Sequence, residues 1–318
     1  MNNLKKIGLS ALAGSLVAFS ANAGEMTVTG AAQLFMSSGD KVGKTTFSNS
    51  DHVNFDGSTE LDNGMTVSFN LQLDGDEADD GAIDNHSVTV NTNGMGTFVY
   101  AGHGGDSAMS AMDDKTPNAY EEAFDSLGGT SAVVINGYSG NDLIGYTSED
   151  FNGVTFKATL MPSIAESATT HSGGAYTDFG IIVKPSMVDG LEIGYAAGTS
   201  EVTAGTEVDE STVYATYAVG SLTLGYQMSD YDAPSSTDSD ESSSVGVSYA
   251  VNDNLSISYN EHTVDVGSSS DDQESKGFSV SYTTGGLTLA GHKNEMDNVG
   301  GSSSSDKEGY EINLGFAF

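Results

Sequence analysis

Apolar and polar side chains alternate residue by residue in many short segments of the chain. The alternation is clearest at residues 65–74, where every odd position is apolar and every even position is polar. The same pattern occurs at residues 213–217, 222–228, 245–251, 255–259 and 278–282. A period of two residues is typical of a β-strand with one apolar face. The pattern therefore predicts a chain of strands.

The carboxy-terminal segment shows where the apolar faces point. Residues 310–318 alternate in the same way and end on an aromatic residue, Phe318. The opposite faces of the strands carry mostly Ser, Thr, Asn and Gln, which would make a poor dry core between two sheets. Lipid is therefore the expected surroundings of the apolar faces. A soluble, acidic, secreted β-protein is the alternative, and it would require apolar side chains on the opposite faces as well.

Short and long connections alternate between the predicted strands. The short ones are rich in residues that tolerate positive φ. They lie at 62–64, 93–94, 152–153, 189–190, 219–221, 252–254 and 285–286. The long ones lie at about 38–47, 75–82, 104–131, 162–175, 200–209, 232–241, 266–274 and 296–307. This alternation predicts an all-β fold: a transmembrane, antiparallel, up-and-down β-barrel of sixteen strands with a water-filled lumen.

The amino terminus predicts export. Lys5 and Lys6 precede an apolar run at 7–18, and Ala21-Asn22-Ala23 follows it. This arrangement is typical of a signal peptide, so we expect residues 1–23 to be removed and residues 24–318 to form the barrel. The run is too short to cross a bilayer of about 30 Å as a helix. Any membrane insertion is therefore expected to use strands.

Composition narrows the classes of partner and chemistry. The chain has no cysteine, which excludes disulfides, thiol catalysis and Cys-based metal sites. Its ten basic residues are all lysine and face 45 acidic residues, giving a formal net charge of −35. Such a charge makes nucleic acid an unsuitable partner.

Two segments carry a resemblance to a known family. Residues 141–153 form a strand carrying Tyr and Ser followed by a Phe-x-Gly turn, and residues 310–318 form the terminal strand. Both are similar to segments of the general porins of Gram-negative outer membranes. The resemblance implies a sixteen-stranded homotrimer in outer-membrane lipid, with the third long loop folded into the lumen. It also implies that Tyr310, Phe316 and Phe318 form a signal read by the barrel assembly machinery.

The third long connection, residues 104–131, corresponds to the loop that narrows such channels. Its charged residues are the candidate pore constriction: Asp106, Asp113, Asp114, Lys115, Glu121, Glu122 and Asp125. Residues 117–124 are expected to form a short helical turn. Porins usually place arginines opposite these acids, but this chain has none, and Lys157 is the best candidate for a basic residue of the lumen. The alternative interpretation is an exposed, solvated acidic loop.

The favoured function is passive diffusion of small hydrophilic solutes and ions, with a preference for cations because clustered carboxylates attract them. One alternative is a solute-specific porin whose lumen binding path is lined by Tyr120, Phe124 and Tyr138. Another is an outer-membrane hydrolase on a smaller barrel. Such an enzyme could use the histidines at 52, 86, 103, 171, 262 and 292 as catalytic residues. No catalytic motif accompanies them, so we expect no enzyme.

Calcium is the one candidate cofactor that the sequence suggests. The acidic segments at 74–80 and 271–274 contain clustered carboxylates, which suit a hard divalent ion. Their spacing fits neither the EF-hand nor the glycine–aspartate nonapeptide repeat, so solvated loop charge is the favoured interpretation. No cofactor is therefore expected to be required.

Overall fold

The computed structural model describes residues 24, 26–39, 43–75, 83–125, 127, 137–162, 174–203, 206–234 and 239–318. The predicted signal peptide, most of the acidic segment at 74–80 and His171 lie outside these residues. Among the described residues, no helix is long and apolar enough to cross a membrane.

Sixteen strands form one closed antiparallel barrel, as the sequence predicts. Their bounds are β1 Met26–Gly39, β2 Thr46–Glu60, β3 Thr66–Asp74, β4 Ile83–Asn91, β5 Thr97–His103, β6 Leu143–Thr147, β7 Val154–Met161 and β8 Tyr176–Val183. The second eight are β9 Leu191–Thr203, β10 Thr206–Val219, β11 Leu222–Asp232, β12 Asp240–Asn252, β13 Leu255–Val266, β14 Gln273–Thr284, β15 Leu287–Asp297 and β16 Lys307–Ala317.

Pairing of the first and last strands closes the barrel. Strand β16 pairs with β1 in a register that places Ala317 opposite Ala31. The terminal residue extends this pairing, because the Phe318 amide donates to the Gly30 carbonyl at 3.0 Å and the Gly30 amide donates to the Phe318 carbonyl at 2.8 Å. Closure leaves no unpaired strand edge at the seam, which a free terminal strand would expose.

Each strand separates an apolar face from a polar one. In β11, Leu224, Tyr226 and Met228 are 45–49% exposed on one face. Gln227, between them, lies on the other face and is only 6% exposed. The alternation seen in the sequence is therefore the alternation of outer and inner side chains of the barrel wall.

The short connections have the backbone geometry that their residues favour. Asn93 and Asn152 adopt left-handed conformations with φ of 56° and 57°. Asparagine tolerates this region better than residues with branched side chains do. These turns let consecutive strands pair directly and fix their register.

Three details of the predicted connections are wrong. The proposed loop at 200–209 is mostly strand, because β9 and β10 keep pairing up to Thr203 and Thr206. The third long connection continues past residue 131 to β6, and within it Gly105–Asp106 pairs with Ser139–Gly140 as a small two-stranded sheet. The helical turn lies at Ser110–Met112 as a 3-10 helix, and residues 117–124 form bends and turns instead.

Candidate functional site

The third long connection, called here the inner loop (residues 104–142), packs against the polar face of the wall. Its first part bonds to β7 and β8: the Ala108 amide donates to Thr159 Oγ1 at 2.8 Å, and the Met109 amide donates to Asp178 Oδ2 at 2.7 Å. Apolar contact fixes it further, because Met109 and Met112 are fully buried against Ala196 and Tyr214 of β9 and β10. A second apolar cluster buries Leu127 against Met296 and Val299.

Between these two clusters, a row of glycine and asparagine residues supports the loop. The row runs across strands β11 to β16 at one level of the barrel. In register, it consists of Gly225, Gly246, Asn260, Gly277, Asn294 and Gly309. We call it the glycine–asparagine row.

The glycines of this row provide space for the loop. A Cβ atom on Gly277 would lie 2.7 Å from the Cα atom of Ala123, and one on Gly309 would lie 3.1 Å from Leu127 Cδ2. Pro117 packs in the same way over Gly225. A larger side chain at Gly225 or Gly277 would therefore displace the loop from the wall, and one at Gly309 would require Leu127 to shift.

The asparagines of the row, with Gln227, supply hydrogen bonds to the loop backbone. Asn260 donates to the Pro117 carbonyl at 3.0 Å, and Asn294 donates to the carbonyls of Glu122 and Asp125 at 2.7 and 3.0 Å. Gln227 donates to the Met112 carbonyl and accepts from the Lys115 amide, both at 2.8 Å. These side chains of the wall thus satisfy several backbone groups of the loop, which holds its described part in one position.

Most of the predicted constriction residues come together on this loop. Glu121, Glu122 and Asp125 have carboxylate oxygens within 4.8 Å of one another. Asp113 and Asp114 interact electrostatically with each other and with Asp125. Lys115 lies beside the two aspartates, with its ammonium 5.8 Å from the centre of the Tyr214 ring.

Burial and mutual repulsion raise the pKa values of these acids. Desolvation, helped by the charges of Asp114 and Glu210, raises the pKa of Asp113 to about 8. Desolvation and the charge of Asp125 raise the pKa of Asp114 to about 6, against the opposing effect of Lys115. The pKa values of Glu121 and Glu122 are also raised, chiefly by burial and then by neighbouring carboxylates. The charge of the loop therefore changes across the neutral pH range.

Two predicted residues lie apart from this group. Asp106 is exposed and belongs to the small sheet at the start of the loop. It lines a cavity of about 350 Å³ together with the inward Lys157, whose ammonium has no carboxylate within ion-pair distance among the described residues. Val99, Leu143 and Ala108 form apolar parts of the same cavity.

Comparison with known proteins identifies the class. The family model of the Gram-negative porins matches residues 8–298. The chain belongs to the Gram-negative porin family. Membership of this family, together with the sixteen-stranded barrel, places the porin in the outer membrane and indicates a channel rather than an enzyme.

Solved structures show the same fold. An anion-selective porin from Comamonas acidovorans is 16% identical, with a TM-score of 0.72, covering 92% of this chain and 99% of the other. OmpT, an outer membrane protein of Vibrio cholerae in a trimer form, is 13% identical, with a TM-score of 0.69 and coverage of 93% and 100%. A mutant of the porin from Rh. blastica is 15% identical, with a TM-score of 0.67 and coverage of 92% and 100%. No curated protein matches the sequence.

The porin also has lumen residues that sequence reasoning missed. Glu311 of β16 accepts from the Tyr120 hydroxyl and from Ser37 Oγ, each at 2.8 Å. Asp178 of β8 and Glu210 of β10 add two further acids to the polar face. Alternation in residues 310–318 could have identified Glu311 as inward. Asp178 was harder to find, because the large, buried Tyr176 lies on the same face of β8 and interrupts the alternation of apolar and polar residues.

Proposed function

We propose that this porin is a water-filled channel for passive diffusion of small hydrophilic solutes and ions, and that it prefers cations. The observation that carries the proposal is the grouping of Asp113, Asp114, Glu121, Glu122 and Asp125 on a loop bonded to the inner wall. Carboxylates in a narrow, low-dielectric passage raise the local cation concentration and repel anions. Charges on the outer connections contribute less, since salt screens exposed charges beyond about 10 Å at 0.1 M.

In this proposal the inner loop narrows the lumen. Its support is the set of bonds to β7, β8, β11, β13 and β15, all made by side chains of the polar face. The related porin from Comamonas acidovorans is anion-selective. In this proposal the present chain has the opposite preference, because the acids on its inner loop favour cations.

The test is an electrical measurement on the refolded protein in a planar bilayer under a KCl gradient. We expect a large, stable conductance and a reversal potential displaced toward the potassium equilibrium potential. A reversal potential toward chloride would overturn the cation preference. Absence of conductance from a correctly folded barrel would overturn the channel itself.

A solute-specific path is the second candidate. The cavity that holds Asp106 and Lys157 offers one negative and one positive group beside the apolar Val99 and Leu143. Such a lining suits a small zwitterion with an aliphatic part. Interruption of the potassium current by millimolar aliphatic amino acids, lost in Lys157→Met, would favour this candidate over unspecific diffusion.

Three further features complete the proposal. We infer a homotrimer, which the trimer form of the related OmpT supports. We also infer export by the segment 1–23 and recognition of the terminal strand, with Tyr310, Phe316 and Phe318, by the assembly machinery. Replacing Phe318 by Ser is expected to lower the amount of folded barrel in the outer membrane.

A further inference from the structure

Three carboxylates of the inner loop lie closer together than negatively charged groups would without a proton or cation between them. The oxygens of Glu121, Glu122 and Asp125 all lie within 4.8 Å of one another. Unit charges about 4 Å apart repel by roughly 4 kcal/mol at an effective dielectric constant of 20. The group therefore needs either protons or a cation to be stable.

The arrangement is built into the structure by backbone and side-chain bonds. The Glu122 amide donates to Asp125 Oδ2 at 3.0 Å, and Glu122 is only 7% exposed. Fully buried Asn294 ties the carbonyls of both residues to β15. The carboxylates are therefore positioned by the wall and do not meet by chance in a freely moving loop.

Among the described residues, no lysine forms an ion pair with the group. The ion pairs of the described residues join Lys184 to Glu192, Lys276 to Glu274, and Lys293 to Glu295 and Glu308. None of them involves the three carboxylates. Lys115 acts on Asp113 and Asp114 instead.

Two buried histidines of the wall provide a second, independent observation. His262 is 3% exposed and His292 is 5% exposed. Within the described structure, His262 Nε2 and both ring nitrogens of His292 lack a hydrogen-bond partner. The His262 ring packs on Phe124 at 4.6 Å and the His292 ring on Tyr120 at 5.6 Å between centroids.

Both rings pack on aromatic side chains that are adjacent in sequence to the carboxylate group. Phe124 and Tyr120 are the chain neighbours of Asp125 and Glu121, and both imidazoles interact electrostatically with Asp125. Buried nitrogens without a partner cost free energy unless a polar group reaches them. Water molecules bound to a cation would donate to the unprotonated nitrogen of such a ring.

We propose that Glu121, Glu122 and Asp125 bind one hard divalent cation of the Ca²⁺ class, whose remaining water ligands donate to His262 and His292. Calcium takes six to eight oxygen ligands at about 2.3–2.6 Å, so two oxygens on opposite sides of the ion are separated by about the distance found here. This site is distinct from the acidic segments at 74–80 and 271–274.

Binding of a cation at this site would change the charge that the loop presents to permeating ions. It replaces a group of negative charges with a nearly neutral one, so we expect Ca²⁺ to reduce the cation preference. That consequence rests on the proposed function, whereas binding itself does not. Protons compete with the ion for the same carboxylate oxygens, as they do at any carboxylate site.

The test is calorimetric titration of Ca²⁺ into the full refolded protein, stripped with chelator, in detergent. We expect one binding event per chain that weakens at least tenfold in Glu122→Gln and in Asp125→Asn. The matched control, Asp271→Asn with Asp272→Asn, removes two charges from an exposed connection and should leave this event unchanged. Retained barrel mobility in unheated gels shows that each variant is folded.

Two results would overturn the proposal: wild-type protein that takes up no Ca²⁺, or binding that survives both loop substitutions. A reversal potential measured with chelator present separates this question from the proposed function. If that potential shows no cation preference while Ca²⁺ still binds, only the proposed function fails.

Discussion

Two groups of strands, called here the two halves of the polar wall, present different side chains to the lumen. On β11 to β16, the glycine–asparagine row carries the inner loop on its surface. On β2 to β4, inward polar residues including Ser68, Asn70, Ser87 and Thr89 line a cavity of about 480 Å³. Both halves alternate with the same period, so the difference lies in side-chain size. Glycine admits a backbone at close contact, while hydroxyl and amide groups of the other half face the lumen.

The largest expected effect comes from filling the space under the loop. Gly277→Val would place side-chain atoms where Ala123 now packs. Overpacking of this kind costs about 1–3 kcal/mol, and moving the loop away from the wall relieves it. We expect a clear change of single-channel conductance in planar bilayers. Ser68→Val, on the other half, places the same valine side chain on the polar face and should leave the conductance nearly unchanged.

A somewhat smaller effect is expected from removing a bond between wall and loop. Asn294→Ala removes the amide that donates to the carbonyls of Glu122 and Asp125. The Glu122 carbonyl keeps the Asp125 amide as a donor at 3.3 Å, and loss of the donor to the Asp125 carbonyl costs about 1–3 kcal/mol. The carboxylates then lose their fixed position, and current recordings should become noisier. Asn70→Ala, which removes a bond only to Asp56, is the control, and equal noise in both variants would contradict the distinction between the two halves.

The pH dependence of ion preference sharpens the comparison further. A carboxyl group is neutral below its pKa and charged above it. The pKa of Asp114 is raised to about 6 and that of Asp113 to about 8. We therefore expect the preference for cations to grow from about pH 5 to 9. Reversal potentials across this range measure it. Asp113→Asn with Asp114→Asn should reduce the increase of cation preference with pH. An unchanged pH dependence in this variant would show that other groups cause it.

The smallest effect is expected from the single lysine of the acidic group. Lys115→Met removes the positive charge that opposes Asp113 and Asp114. The cation preference should increase modestly, by less than the acid substitutions decrease it. Lys44→Met in the exposed connection between β1 and β2 is the matched control, and it should not change the reversal potential.

Sequence patterns predicted the wall well because every strand obeys one simple rule of alternation. Residues 65–74 and 222–228 show that rule without interruption, and turns such as Asn93–Gly94 mark where it restarts. The acids of the inner loop were visible as charges within 104–131. Their arrangement was not, because it depends on Gly277, Asn294 and Gly309 from distant strands. A glycine or asparagine in a strand gives no sign of its partner until the register is known.

The central claim is that the acids held on the loop half of the wall determine which ions pass. The most direct test compares reversal potentials of Glu121→Gln/Glu122→Gln/Asp125→Asn and of Asp271→Asn/Asp272→Asn/Glu274→Gln under the same KCl gradient, with chelator present. The two variants replace the same number of carboxyl groups, one set on the loop and one set on an exposed connection and its strand edge. The account predicts that the cation preference falls strongly in the first and hardly in the second. Equal changes in both would show that overall charge, and not the position of the loop acids, governs selectivity.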